Sequence, residues 1–190
     1  KAHSIAFDFH KWLHVPYDAG AVLIRDGTAL RESFSSRPDY LKSAERGLAA
    51  GEPWYCELGP ELSRGFRAFK VWFTLKEHGL ERLAEKIADN CRQARHLAAR
   101  IAAHPDLELL VPVALNIVCF RYRSAESGRL DKLNGDIVVA LQEKGIAAPS
   151  TTRIGGKLAI RVNLTNHRTT VDDLDLLVDL YYAAADHGDV

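Results

Sequence analysis

The chain of 190 residues contains no methionine. It begins with Lys1, and an initiator methionine is normally removed only ahead of a small residue, so the chain reads as part of a longer polypeptide, with an N-terminal segment missing. Cysteine is scarce. Cys56, Cys91 and Cys119 are odd in number and lack C-x-x-C spacing. That argues against a disulfide framework and a thiolate zinc site and fits a reducing, cytoplasmic setting. No charge of either sign is in excess, with 25 Lys plus Arg against 25 Asp plus Glu. Without a basic excess or stripe, no nucleic-acid partner is expected. No apolar run approaches the length of a membrane span, and no charged then apolar leader opens the chain, so no membrane partner is expected either. Phosphate-cradling glycine motifs and the G-x-S-x-G nucleophile elbow are also missing.

What is present is the composition of an ordinary globular protein, 47% hydrophobic and 26% charged, sufficient to bury a core without metal or disulfide staples. Ser4 to Phe9 alternates weakly and predicts a short strand. Gly20 to Arg25 is an apolar run closed by Asp26-Gly27 and reads as a buried strand ending in a turn. Residues 31–63 show no sustained period and are punctuated by serine, glycine and proline, which is more typical of a functional loop than of a connector.

Helical periods then take over. Phe66, Phe69, Val71, Trp72, Phe73 and Leu75 predict an apolar helix ending near Gly79. From Leu80 to Ile101 apolar residues recur at threes and fours, predicting an amphipathic helix of about six turns with a core-facing stripe. Strands are expected at Leu107–Val111, Asn116–Arg123 and Lys157–Leu164, the last introduced by a Gly155-Gly156 turn. Further helices are expected from about Leu130 to Lys144 and from a Thr170 N-cap to about Ala185. Short strands with helices on one face describe a compact α+β lobe.

Few residues stand out chemically. His10 and His14 are four apart, but Pro16 follows closely and no third ligand is suggested, so they read as two unrelated histidines. Lys11 ends an apolar strand between His10 and Trp12. Partial desolvation there would favour the neutral amine, suited to attack on an aldehyde. On the residues alone, a solvent-facing lysine at a strand end is the simpler reading. Arg161 could clamp a carboxylate, though a structural ion pair is preferred for it.

The segment Ser4 to Gly20, with its His10-Lys11-Trp12-Leu13, resembles the cofactor-lysine motif of group II pyridoxal-phosphate-dependent amino-acid decarboxylases, closest to the aromatic-L-amino-acid decarboxylases. Three further stretches resemble that family in the same order: Pro38-Asp39-Tyr40-Leu41-Lys42 its catalytic loop, Leu62 to Phe73 its basic run into K-x-W-F, and Leu115 to Arg121 its small-domain strand. Asp8-Phe9 departs from the animal pattern, which has Asn-Pro there.

The resemblance implies an α/β fold: the end of the large domain of a fold-type-I enzyme in residues 1–75, carrying the cofactor lysine and catalytic loop, and a small C-terminal α+β domain in residues 76–190. It implies pyridoxal 5'-phosphate as cofactor, attached through Lys11, with His10 and Ser4 near its phosphate. It implies decarboxylation of an L-amino acid, with Tyr40 returning a proton to the carbon that has lost CO2, and a homodimer with the site between subunits. The loop from about Ser33 to Pro53 would be mobile without substrate. The parts of the pocket upstream of the lysine are missing from the chain. Two other readings stay open: a non-catalytic remnant acting as a dimerisation module, and an aldehyde synthase or carbon–carbon lyase using the same cofactor.

Overall fold

The computed structural model describes residues 1–36, 38–51, 54–123 and 129–186. They fall into two compact units, Lys1–Leu80 and Glu81–Val190.

In the first unit, β1 (Ser4–Asp8) and β2 (Gly20–Ile24) form a two-stranded antiparallel ribbon, registered from Ser4 opposite Ile24 to Asp8 opposite Gly20. The strand at Gly20 is where the sequence places it, but it is not buried. Val22 and Leu23 are more than half exposed. An apolar run marks surface that another layer should cover, and the described residues of this unit leave it open.

Asp26-Gly27 also departs from expectation. It opens a helix, α1 (Gly27–Phe34), rather than a turn. The Asp26 carboxylate accepts the N–H groups of Thr28 and Ala29 at 3.0 and 3.1 Å, satisfying two donors that a helix start leaves over. Asp-Gly suits turns and caps alike, and here the cap prevails. Beyond α1 the expected irregular segment holds two 3-10 turns, Asp39–Leu41 and Tyr55–Leu58. Arg37, Glu52 and Pro53 of that segment lie outside the described residues. Helix α2 (Arg67–His78) stops at Gly79, whose φ of 75° lies in the left-handed region that favours glycine. Phe66, Phe69 and Trp72 stack along this helix at 5.5 and 5.9 Å, and all are at least half exposed.

The second unit is a four-stranded antiparallel sheet in the order β3-β4-β6-β5, made from β3 (Leu107–Leu109), β4 (Ile117–Tyr122), β5 (Ser150–Ile154) and β6 (Lys157–Asn163). Val118 and Phe120 of β4 lie opposite Val162 and Ile160 of β6. These four join the core with Leu97 and Ile101 of α3 (Leu80–Ala103), Ile137 and Leu141 of α4 (Leu130–Glu143), and Leu177 and Tyr181 of α5 (Val171–Asp186). The inner side of α3 is buried at Leu83, Asn90, Gln93, Ala94, Leu97 and Ile101, while Leu80 is exposed. Thr170 does cap α5: its hydroxyl accepts the Asp173 N–H, and the Asp173 carboxylate accepts the Thr170 N–H at 2.8 Å.

One polar residue ties this core together. Asn134 is fully buried on α4. Its Oδ1 accepts the Tyr122 N–H at 2.8 Å, and its Nδ2 donates to the Tyr122 carbonyl at 3.3 Å, so the side chain pairs with β4 much as a neighbouring strand would. The Tyr181 hydroxyl of α5 donates to the same Oδ1 at 2.5 Å. Burial pushes the Tyr181 phenol well above its ordinary range.

Candidate functional site

The candidate site is built on the loop that joins β1 to β2. After Asp8 the chain turns on itself: the Lys11 N–H donates to the Asp8 carbonyl at 3.4 Å and the His14 N–H to the Lys11 carbonyl at 3.2 Å. The Phe9 N–H donates to the Ala19 carbonyl at 2.9 Å, closing the loop at its base. Val15 and Ala19 are buried and anchor it.

This loop fixes His10. Its Nδ1 accepts the backbone N–H of Ala19 at 2.9 Å. A peptide N–H only donates, so the neutral ring carries its hydrogen on Nε2. The Tyr17 ring packs against it in a T-shaped arrangement, with centroids 4.5 Å apart.

Lys11 is next to His10 and faces solvent, the simpler of the two readings of its sequence: its side chain is 70% exposed and ion-paired with Asp8. A turn projects the amine outward, and the residues packed beneath it do not enclose it. The Asp8 carboxyl is held below its usual range, chiefly by the hydrogen bond from Lys11. Gly20, opposite Asp8, leaves that carboxylate its place, since a Cβ there would meet Asp8 Oδ1 at 3.3 Å.

Ser4 is not brought to this pair. It is exposed at the start of β1, opposite Ile24. At ~3.3 Å per residue it stands ~13 Å along the strand from Asp8. Tyr40 lies in the Asp39–Leu41 turn, 80% exposed, on the rim of a cavity of about 330 Å³ shared with Phe34, Trp54, Cys56 and Pro60. At this cavity the buried carboxylate of Glu57 accepts the Ser35 hydroxyl at 3.2 Å, and Arg31 lies 3.8 Å away.

Two groupings escaped sequence reasoning. Glu57 sits in a stretch without period or motif. Arg67, noted there only within a basic run, reaches back to the loop that carries Lys11. Its Nε donates to Asp18 Oδ2 at 2.9 Å, and its two terminal nitrogens donate to the Glu61 carboxylate at 2.8 and 3.1 Å. The guanidinium holds both carboxyls below their ordinary range, and they raise its own titration in turn. Arg161 corrects another expectation. It lies opposite Cys119 and makes no ion pair among the described residues. The arginine that is buried and ion-paired is instead Arg121, 3.3 Å from the half-exposed Asp131 and 3.7 Å from Glu108.

Residues 1–123 match the conserved domain of pyridoxal-dependent decarboxylases. The chain belongs to the pyridoxal-dependent decarboxylase family. It is 37% identical over 177 residues to an aromatic-L-amino-acid decarboxylase of Bacillus atrophaeus, a match that covers 92% of this chain and 37% of that protein. It is 33% identical over 174 residues to a histidine decarboxylase of Drosophila melanogaster, covering 92% of this chain and 20% of that one. The chain thus spans well under half the length of these relatives. Its fold matches that of Oryza sativa TDC, solved with PLP and tryptamine, with a TM-score of 0.90 at 24% identity over 98% of this chain and 39% of that one. The fold therefore corresponds to part of the fold-type-I architecture. Among the described residues no helix is long and apolar enough to cross a membrane.

The loop fits the family's cofactor in its donor chemistry. An outward primary amine suits the cofactor aldehyde, and an imidazole N–H on the adjacent residue suits a phosphate oxygen.

Proposed function

We propose that this chain is the C-terminal part of a decarboxylase of aromatic L-amino acids, with Lys11 as the residue that binds pyridoxal 5'-phosphate. The observation that carries this reading is the family match across residues 1–123, together with a Lys11 amine presented outward from a hydrogen-bonded loop. The aromatic substrate class rests on the 37% identity to the Bacillus atrophaeus protein.

Bound to the protein, pyridoxal phosphate supplies the electron sink that loss of CO2 requires. Lys11 attaches the cofactor, and for this its ammonium gives up a proton and parts from Asp8. His10 donates its Nε2 hydrogen toward the phosphate. The Tyr40 hydroxyl returns a proton to the substrate carbon after CO2 has left. A phenol can do this and a phenylalanine cannot. Residues 1–75 serve as the end of the cofactor domain and residues 76–190 as the small domain. The protein works as a cytoplasmic homodimer, and the exposed aromatic side of α2 offers surface for that association.

Borohydride reduction of the cofactor-loaded protein, followed by digestion and mass spectrometry, tests the central assignment. The adduct is expected on the peptide containing His10-Lys11-Trp12, and Lys11→Ala is expected to lower turnover by several orders of magnitude. An adduct on any other lysine refutes the assignment. Release of amine from aromatic L-amino acids, and not from acidic or basic ones, tests the substrate class.

A further inference from the structure

The geometry points to Arg67 as a positioning residue that fixes the orientation and tautomer of His10 from the start of α2. Its planar guanidinium is held on one side by two hydrogen bonds to Glu61 and holds Asp18 on the other. Asp18 is followed by Ala19, buried and bonded in both directions: its carbonyl accepts the Phe9 N–H, and its N–H donates to His10 Nδ1, each at 2.9 Å. A chain of contacts thus runs from Glu61 through Arg67 and Asp18 to the Ala19 peptide and on to His10.

The consequence is chemical. As long as the Ala19 N–H points at Nδ1, the neutral ring must carry its hydrogen on Nε2 and can act there only as a donor. If the Ala19 peptide turns away, either nitrogen can hold the hydrogen, and Nε2 can face a phosphate oxygen with a lone pair. Lysine replaces Arg67 only in part, because a single ammonium lacks the fork that meets two carboxylates in one plane. The role in phosphate recognition rests on the reading of Lys11 and His10 given above. The hydrogen-bond chain can be tested without cofactor.

The test uses the protein free of cofactor, labelled with nitrogen-15 at histidine, in mildly alkaline solution. Wild type is expected to show His10 with a bare Nδ1 and a protonated Nε2, and slow hydrogen exchange at the Ala19 amide. In Arg67→Ala the two tautomers should mix and the Ala19 amide should exchange about fivefold faster, the scale of losing one partly exposed ion pair. Arg67→Lys should fall between. Asp18→Asn keeps an oxygen acceptor and should shift both readouts the same way by less; it decides the question if Arg67→Ala does not fold. Arg64→Ala, whose guanidinium bonds the Tyr55 carbonyl instead, should leave both readouts unchanged. In cofactor titrations, affinity should fall in the same order as the tautomer signal. Wild-type His10 shifts and wild-type Ala19 exchange in a folded Arg67→Ala variant overturn the inference. If the borohydride experiment places no adduct on Lys11, the reading of the site fails, while the cofactor-free readouts still decide what Arg67 does.

Discussion

Replacing Asn134 with leucine probes the polar tie in the second unit. The two side chains share a branched outline, with leucine the larger, so the perturbation removes hydrogen-bonding groups and adds some crowding. Asn134 Oδ1 accepts from the Tyr122 N–H at 2.8 Å and from the Tyr181 hydroxyl at 2.5 Å. Leucine accepts neither. The site is fully buried, so water does not replace the lost acceptor. Each stranded donor costs about 1–3 kcal/mol, which places the loss at about 2–6 kcal/mol before the leucine's own apolar burial offsets part of it. A net loss of about 3 kcal/mol is expected. Tyr181→Phe alone should cost about 1 kcal/mol, because Asn134 still holds the Tyr122 peptide. In the double variant the stranded hydroxyl is gone, so the combined loss should fall below the sum of the singles by about 1 kcal/mol. Hydrogen exchange at the Val118 and Phe120 amides, at the centre of β4, reads the opening of this unit specifically. Additive losses, or a loss below about 1 kcal/mol in Asn134→Leu, would show that the strand end finds other partners and that the tie is incidental.

Tyr40→Phe should leave stability within about 0.5 kcal/mol of wild type, because the ring is exposed, and should keep cofactor attachment. It should slow amine formation and divert flux to aldehyde, ammonia and hydrogen peroxide; amine at the wild-type rate without aldehyde would remove Tyr40 from the reaction. Acid titration of stability should be flat above the ordinary carboxylate range and fall below about pH 4. The cause is that Asp131, held by the Leu158 N–H and by Arg153, and Asp175, held by His96 and Arg100, have folded values depressed from 3.8. A depressed value adds stability where the unfolded group is ionised, and that stability is lost as pH drops through the folded value. Thermal unfolding across this range checks it, with Asp131→Asn expected to flatten the acid limb.

The helices were the most legible part of the fold. The stripe ending at Ile101 and the Thr170 cap are local signals, and α3 and α5 follow them closely. The strand β5 escaped because its sequence, Ser-Thr-Thr-Arg-Ile, lies at a sheet edge and lacks an apolar alternation. Helix α1 escaped because its opening Asp-Gly has two local uses. At the candidate site, His10 and Lys11 were legible because they are contiguous in a motif. The clamp from Arg67 to Asp18 spans 49 residues, and no period or spacing in a single sequence carries such a pairing.

The failures of burial have a common cause. Val22 and Leu23 were expected to be enclosed and are not, and the aromatic side of α2 and the Lys11 side chain, in the same first unit, are exposed as well. In the second unit the apolar positions of α3, β4 and α4 close on one another, and Leu97, Phe120 and Ile137 are fully buried. Apolar patterning records the surroundings in which a segment works, whereas exposure records only the atoms at hand. Contiguous exposed apolar surface in a soluble domain marks a place where something docks. The ribbon and α2 carry such surface, and the ribbon also carries Lys11. Whatever covers it brings a lower dielectric to the Lys11 amine, which removes hydration from the ammonium while strengthening its pairing with Asp8. Cover over the ribbon would therefore bear on the Lys11 loop, whereas in the second unit the apolar positions of α3, β4 and α4 already enclose one another.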